Sequence, residues 1–169
     1  MNKEYMNNLV EFLKDVGMTA SFVGKENGVP MDTLLAGLPG EVEEGHLVVC
    51  NPVELDGEEQ GFTAYIQMYY EIPQDVSELD EADIYVLVNK MNSISLVGHF
   101  VYGDDEENRK RVYIRHTYTC DIEEEPNASV FCECLQRLLE YGAVMEEMLA
   151  GLSSGMGMEE ILAAEQLGR

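Results

Sequence analysis

The sequence predicts an α+β domain: an antiparallel sheet of about five or six strands packed against N-terminal, middle and C-terminal helices. Three observations predict it. Apolar residues recur at helical spacing in three long stretches. They alternate at period two in the segments between. Turn-forming clusters such as KENG, DGEEQG and GDDEENRK separate the runs. The 169 residues suit one domain, read as 1–152, with 153–169 a flexible linker and short C-terminal helix. A chain of this length buries roughly 70% of its unfolded surface and needs no disulfide or metal staple.

Tyr5, Met6, Leu9, Val10, Leu13 and Val16, flanked by Phe12, place the first helix over 3–16, with Asn2 as cap and Gly17 as a left-handed stop. MTASFVG (18–24) is a strand ended by the KENG turn. VPMDTLLAGL (29–38) reads either as a second strand or, at 32–35, as a helical turn. PGEVEEG is a loop, and HLVVCNPVEL (46–55) a strand whose Pro52 suggests an edge or a bulge. FTAYIQMYYEI (62–72) alternates most regularly, with Phe62, Ala64, Ile66, Met68, Tyr70 and Ile72 on one face. Pro73 ends it.

Ser77 is the expected cap of a helix over 78–92, with Asp80 completing a shortened capping box. Leu79, Ala82, Ile84, Val86, Leu87, Val88 and Met91 lie on or near its apolar side. Ile94, Leu96, Gly98, Phe100 and Tyr102 share one face of the next strand. Val112, Ile114, His116, Tyr118 and Cys120 share one face of its partner. Asn127 caps the last long helix, over 128–150, whose stripe is Val130, Phe131, Cys134, Leu135, Leu138, Leu139, Met145 and Leu149. After GLSSGMG, MEEILAAEQLG forms a short terminal helix.

The formal net charge is −23, from 10 Lys and Arg against 33 Asp and Glu spread along the chain. That field has the wrong sign for nucleic acid or an anionic membrane surface, and it suits solubility, basic partners or cations. MNKEYMNNLVEFLKDVG has spaced apolar residues with acids among them, unlike a secretory leader, and no run of 18 apolar residues exists. The expected location is the cytoplasm, with Cys50, Cys120, Cys132 and Cys134 as reduced thiols.

HFVYGDDEENRKRVYIRH has a histidine at each end and invites a reading as a site. The register that buries both apolar faces pairs even with even residues. It sets Phe100 near Ile114 and Gly98 near His116, and turns His99 to the other face. A one-residue slip exposes a whole strand face, at about 1.5–3 kcal/mol per large side chain. A charged hairpin tip, with Asp104, Asp105, Glu106 and Glu107 facing Arg109, Lys110 and Arg111, is therefore preferred to a metal site. The tip also lacks the alternating ligands of a calcium loop. Cys132 and Cys134 stand about 200° apart on a helix and cannot grip one metal; Cys134 packs in the core and Cys132 is less buried. His46 and Cys50 are too far apart on one strand for a nucleophile and its base. Glu123, Glu124 and Glu125 form an acidic linker, and Asn127 of the sequon 127–129 serves as a helix cap. No GxGxxG, Walker, GxSxG or HExxH motif occurs, so no catalytic, cofactor-binding or metal residue is assigned and no cofactor is expected. Met145, Met148, Met156 and Met158 cluster late, as adaptable contact surfaces do, although core packing and a loose tail explain them as well. Tyr65, Tyr69 and Tyr113 lie opposite the apolar faces, as second-face packing or a partner surface.

The strand pair NSISLVGHFVY and RVYIRHTYTC, running into DIEEEPNASVFCECLQRLLEYGAVMEEML, resembles the YbjN-like proteins, and the helix from Tyr5 to Val16 leading into a strand is similar too. The resemblance covers about 3–150 and extends, second, to the related type III secretion chaperones. It implies the order α-βββ-α-ββ-α; the chaperone resemblance implies a small, acidic, cytosolic, usually homodimeric protein without ATPase activity, holding an extended client segment against apolar patches on helix and sheet. It places no site residues.

Two functions follow as expectations. One is a non-catalytic, chaperone-like module of the bacterial cytosol that binds a protein or peptide client through an apolar groove or an open sheet edge, as a homodimer without nucleic-acid or membrane contact. The other is a small metal-dependent or acid/base hydrolase using acids from 104–107 or 123–125 with His99, His116 or His46.

Overall fold

Burying one side of a strand obliges every second residue to be apolar, and the whole sheet here obeys one such parity. The computed structural model describes residues 3–40, 42, 45–53, 63–105 and 107–167. In chain order these form α1 (Lys3–Asp15), β1 (Thr19–Val23), β2 (Thr33–Gly37), β3 (Val48–Val53), β4 (Thr63–Glu71), α2 (Glu81–Ile94), β5 (His99–Asp104), β6 (Lys110–Asp121), α3 (Ala128–Ser153) and α4 (Met158–Leu167). The six strands make one antiparallel sheet in the order β1-β2-β3-β4-β6-β5. Leu34 faces Cys50, Cys50 faces Met68, Met68 faces His116, and Phe100 faces Ile114. Even-numbered residues therefore share one side across all six strands. Leu34, Cys50, Ile66, Met68, Tyr70, Val112 and Ile114 are buried there, in one core with residues of α1, α2 and α3.

α3 forms because Asn127 accepts from the Val130 N–H and an apolar stripe follows at helical spacing. Its start is tied to the sheet by Tyr118, whose hydroxyl accepts from the Asn127 N–H at 3.0 Å and whose ring meets Phe131 edge-on. Further along, Gly142 lies directly on the ring of buried Tyr70, with no room for a Cβ. This contact sets how closely α3 approaches β4. α1 closes the other end of the core with Met6, Leu9, Val10 and Leu13, and Gly17 ends it at φ 89°.

Several expectations are corrected. The segment left open between strand and helical turn is strand β2, so four strands, not three, precede α2. Pro52 lies on an inner strand, but β2 pairs only with residues 48–50 of β3, so its missing N–H meets no ladder on that side. Asp80, not Ser77, caps α2: it accepts from the Ala82 N–H at 2.8 Å, while the Ser77 N–H is taken by Asp75. Ile94 ends α2 instead of entering a strand. Leu96 is 86% exposed in the following turn, so β5 begins only at His99. Gly98, at φ +73°, makes that turn where a Cβ would press on Ile114 and Leu138. Val16 and Val130 are exposed, and Cys132 is as buried as Cys134. α3 runs three residues past the expected 150, to Ser153. Asn2, Phe62, the DGEEQG turn and part of PGEVEEG lie outside the described residues.

Gly142→Ala forces a methyl onto Tyr70 and is expected to lower stability by about 2 kcal/mol. Gly103→Ala, where a Cβ meets nothing within 4 Å, stays within about 0.5 kcal/mol. Urea unfolding of both variants checks the pair.

Candidate functional site

The core consumes only one side of α3. A second row, Glu140 and Tyr141, Val144, Glu147 and Met148, then Gly151, recurs every three to four residues on a different flank. This row meets Met91 and Ile94 at the end of α2 and Met156, Ile161 and Ala164 at and beyond the break after α3, enclosing a cleft of about 520 Å³. That is the size range of pockets that take ligands, about 300–1,000 Å³. The walls are mostly apolar, and three of them are methionine side chains, which adapt to varied shapes. α4 reaches this position because Gly155, at φ +86°, turns the chain back and Ile161 buries itself against Gly151. The α2–β5 turn is pinned beside the cleft by the Leu96 N–H, which donates to the Tyr141 hydroxyl at 3.2 Å. Leu96 thus adds an exposed apolar side chain next to Tyr141. Glu140 and Glu147 are the acids that line the cleft, and both are exposed.

The sheet edges matter for the alternative mode of binding, strand addition. At β5, the Asn92 side chain accepts from the Phe100 N–H at 2.6 Å and donates to the Phe100 carbonyl at 3.0 Å. It occupies the outward backbone pair of Phe100, one of those that an added strand would use. Glu81, from the start of α2, is bonded to the Tyr102 hydroxyl and paired with Lys110. β1, at the other edge, has only five residues.

The residues singled out in the sequence are dispersed. Asp105 organises the hairpin tip: it accepts from the backbone N–H groups of Arg109 and Glu107 and from Arg109 Nε at 2.7 Å. The backbone bond from Arg109 leads in lowering its pKa to about 2. Asp104 pairs with Lys110 at 3.2 Å and Glu107 with Arg109 at 3.1 Å, so these carboxylates are partnered within the tip; Glu106 lies outside the described residues. The linker 123–125 is tied to α1, where the Tyr5 hydroxyl donates to the Glu123 carbonyl and the Asn8 amide to Glu125. His99 pairs across from Arg115 and His116 across from Met68, on opposite sides of the sheet. Cys50 is fully buried and its thiol pKa is pushed up by burial. His46 turns away from it. Its Nδ1 sits 2.7 Å from the Tyr70 hydroxyl and 3.6 Å from Glu146. Nothing in the sequence announces that triplet, since its members come from a loop, β4 and α3. Among the described residues no group of His, Cys, Asp and Glu is arranged to hold a metal ion, and no helix is long and apolar enough to cross a membrane.

Of the four late methionines, Met145 and Met148 belong to the core, Met148 and Met156 line the cleft, and Met158 begins α4. Met91 completes the cleft from α2. The odd-numbered side of the sheet carries Leu35, Val49, Tyr69, Arg115 and His99 in one row. Tyr69 and Tyr113 rest ring on ring there, 4.7 Å between centroids, and no helix among the described residues buries that side in the core.

His116 points into the helix-covered side, and burial, then the nearby His99, lowers its pKa below the ordinary 6.5. A depressed value means that its contribution to stability is full above 6.5 and is lost as pH falls through the lowered folded value. The urea midpoint is therefore expected to drop between about pH 7.5 and about pH 5.5, and His116→Gln to drop less over the same interval.

No protein-family profile and no curated relative matches the chain. Among solved structures it is similar to YbjN from E. coli, described as a candidate transcription regulator: 16% identity over 87% of this chain and 92% of that one, with a TM-score of 0.51. The element order, the six-stranded antiparallel sheet and this likeness agree: the chain has the YbjN-like α+β fold.

Proposed function

We propose that the chain is a non-catalytic, chaperone-like binding module of the bacterial cytosol, and that the cleft between α2, α3 and α4 receives an apolar segment of a protein client. The observation that carries this reading is the methionine-lined cleft itself, an apolar volume left open at the margin of the core, to which Met91, Met148 and Ile161 also belong. Asn92 on the β5 edge favours the groove over strand addition. YbjN is described as a candidate regulator of transcription. A net charge of −23 fits a regulator that acts through proteins better than one that grips DNA phosphates. The bare outer side of the sheet, with Tyr65, Tyr69, Tyr113 and Val49, supports a homodimer joined there, since tyrosine-rich surfaces with few acids are good contact surfaces.

Two measurements follow. Nile red added to the intact protein is expected to brighten on entering the cleft. Val144→Trp, which fills the cleft, weakens that binding by about tenfold or more, and Val130→Trp, on an exposed part of α3 outside it, does not. Equal brightening in both variants removes the cleft from the account. Light scattering at micromolar concentration is expected to give twice the chain mass, and Tyr69→Glu with Tyr113→Glu to halve it. A monomer at every concentration contradicts the dimer.

A further inference from the structure

The cleft has walls of helix and an apolar lining. An extended segment entering it would bring backbone N–H and C=O groups that no sheet edge is there to meet, and each group left unpaired out of water is costly. A helix arrives with its backbone already bonded. α3 also shows that this flank accepts one: α4 is seated on it, with Ile161 against the Gly151 notch, where a Cβ would stand 3.3 Å from Ile161 Cγ1.

Charge narrows the occupant further. Glu140 and Glu147 stand at the cleft, exposed, and Glu159 and Glu160 open the first turn of α4 beside it. From 138 to 167 the chain has six glutamates and neither lysine nor arginine. Of the neighbouring cations, Lys90 stands one residue before Met91 on α2, and Arg137 is paired with Glu140 at 2.8 Å in an exposed contact that contributes little. An apolar floor inside an acidic rim, on a molecule of charge −23, attracts and orients a cationic partner and repels an acidic one.

We propose that the partner of this cleft is a basic amphipathic helix. Its apolar side chains, spaced i, i+3 or i+4 and i+7, rest on Tyr141, Val144 and Met156, over the buried Met91 and Met148, and its flanking lysines and arginines meet Glu140 and Glu147. This rests on the reading of the cleft as a client site and names the chemistry of that client.

Three fluorescein-labelled peptides of about four helical turns test it against the full chain by anisotropy. One has a Leu/Met stripe flanked by Lys and Arg. The second keeps the stripe and replaces every base with Glu. The third keeps the composition of the first but scrambles it so that no stripe forms. The first is expected to bind at least tenfold more tightly than either of the others and to weaken as salt rises. E140Q with E147Q, at exposed positions, reduces that affinity several-fold and flattens its salt dependence; Val144→Trp abolishes it. Equal binding of the first two peptides overturns the charge assignment and leaves an apolar client site standing. Equal binding of the first and third, indifferent to Val144→Trp, overturns the helix as well. If neither striped peptide binds, the client site itself falls.

Discussion

The structure depends on the burial of a single side of the sheet beneath α3. Every strand pairing joins residues of the same parity, so the even-numbered side is continuous from Ala20 on β1 to Phe100 on β5. A shift by one residue in any strand would move its whole apolar set into water. α3 holds the register because it packs against several strands at once, anchored at its start by Tyr118 and keyed in its middle by Gly142 over Tyr70. The Tyr70 hydroxyl, in turn, fixes His46 at the entrance to β3. One aromatic side chain thus links sheet, helix and loop.

The same helix has a second life. Because α3 extends to Ser153, beyond the sheet core, its other flank overlooks the end of α2, and α4 folds back to make the third wall. Methionine suits such a place: it is apolar enough to stay out of water and unbranched enough to reshape around a guest. Meanwhile Asn92 occupies the outward backbone groups of Phe100 in the middle of the β5 edge, which interrupts the row that an added strand would pair with.

Much of the fold was legible because burial writes a period into the sequence. The alternation from Ala64 to Ile72, the helical stripe of Leu9 and Leu13, and the match of Phe100 with Ile114 all came from that period. The misplacements have the same physical source. Ile94 and Leu96 keep the strand parity by coincidence, and only the helix cap at Ser95 and the left-handed Gly98 show that the strand starts later. Ser77 reads as a cap, but the helix begins only at Glu81, where the Asp80 side chain accepts from the Ala82 N–H. The site was harder to see. Met148 and Met156 stood out by clustering, yet Met91 is more than 50 residues away and joins them only through the packing of α2 on α3. Local sequence carries no sign of such a meeting, nor of Asn92 bonding the backbone of Phe100 eight residues ahead.

The methionines themselves offer the most direct test that the open flank of α3, not its buried one, is the working surface. The full chain labelled at its methionine methyl groups can be followed by NMR while a basic amphipathic helix is titrated in. The methyls of Met91, Met148 and Met156 should shift, and those of Met68 and Met145, held between sheet and α3, should stay. Movement of Met68 and Met145 together with stationary cleft methyls would contradict this division of the helix and with it the proposed site.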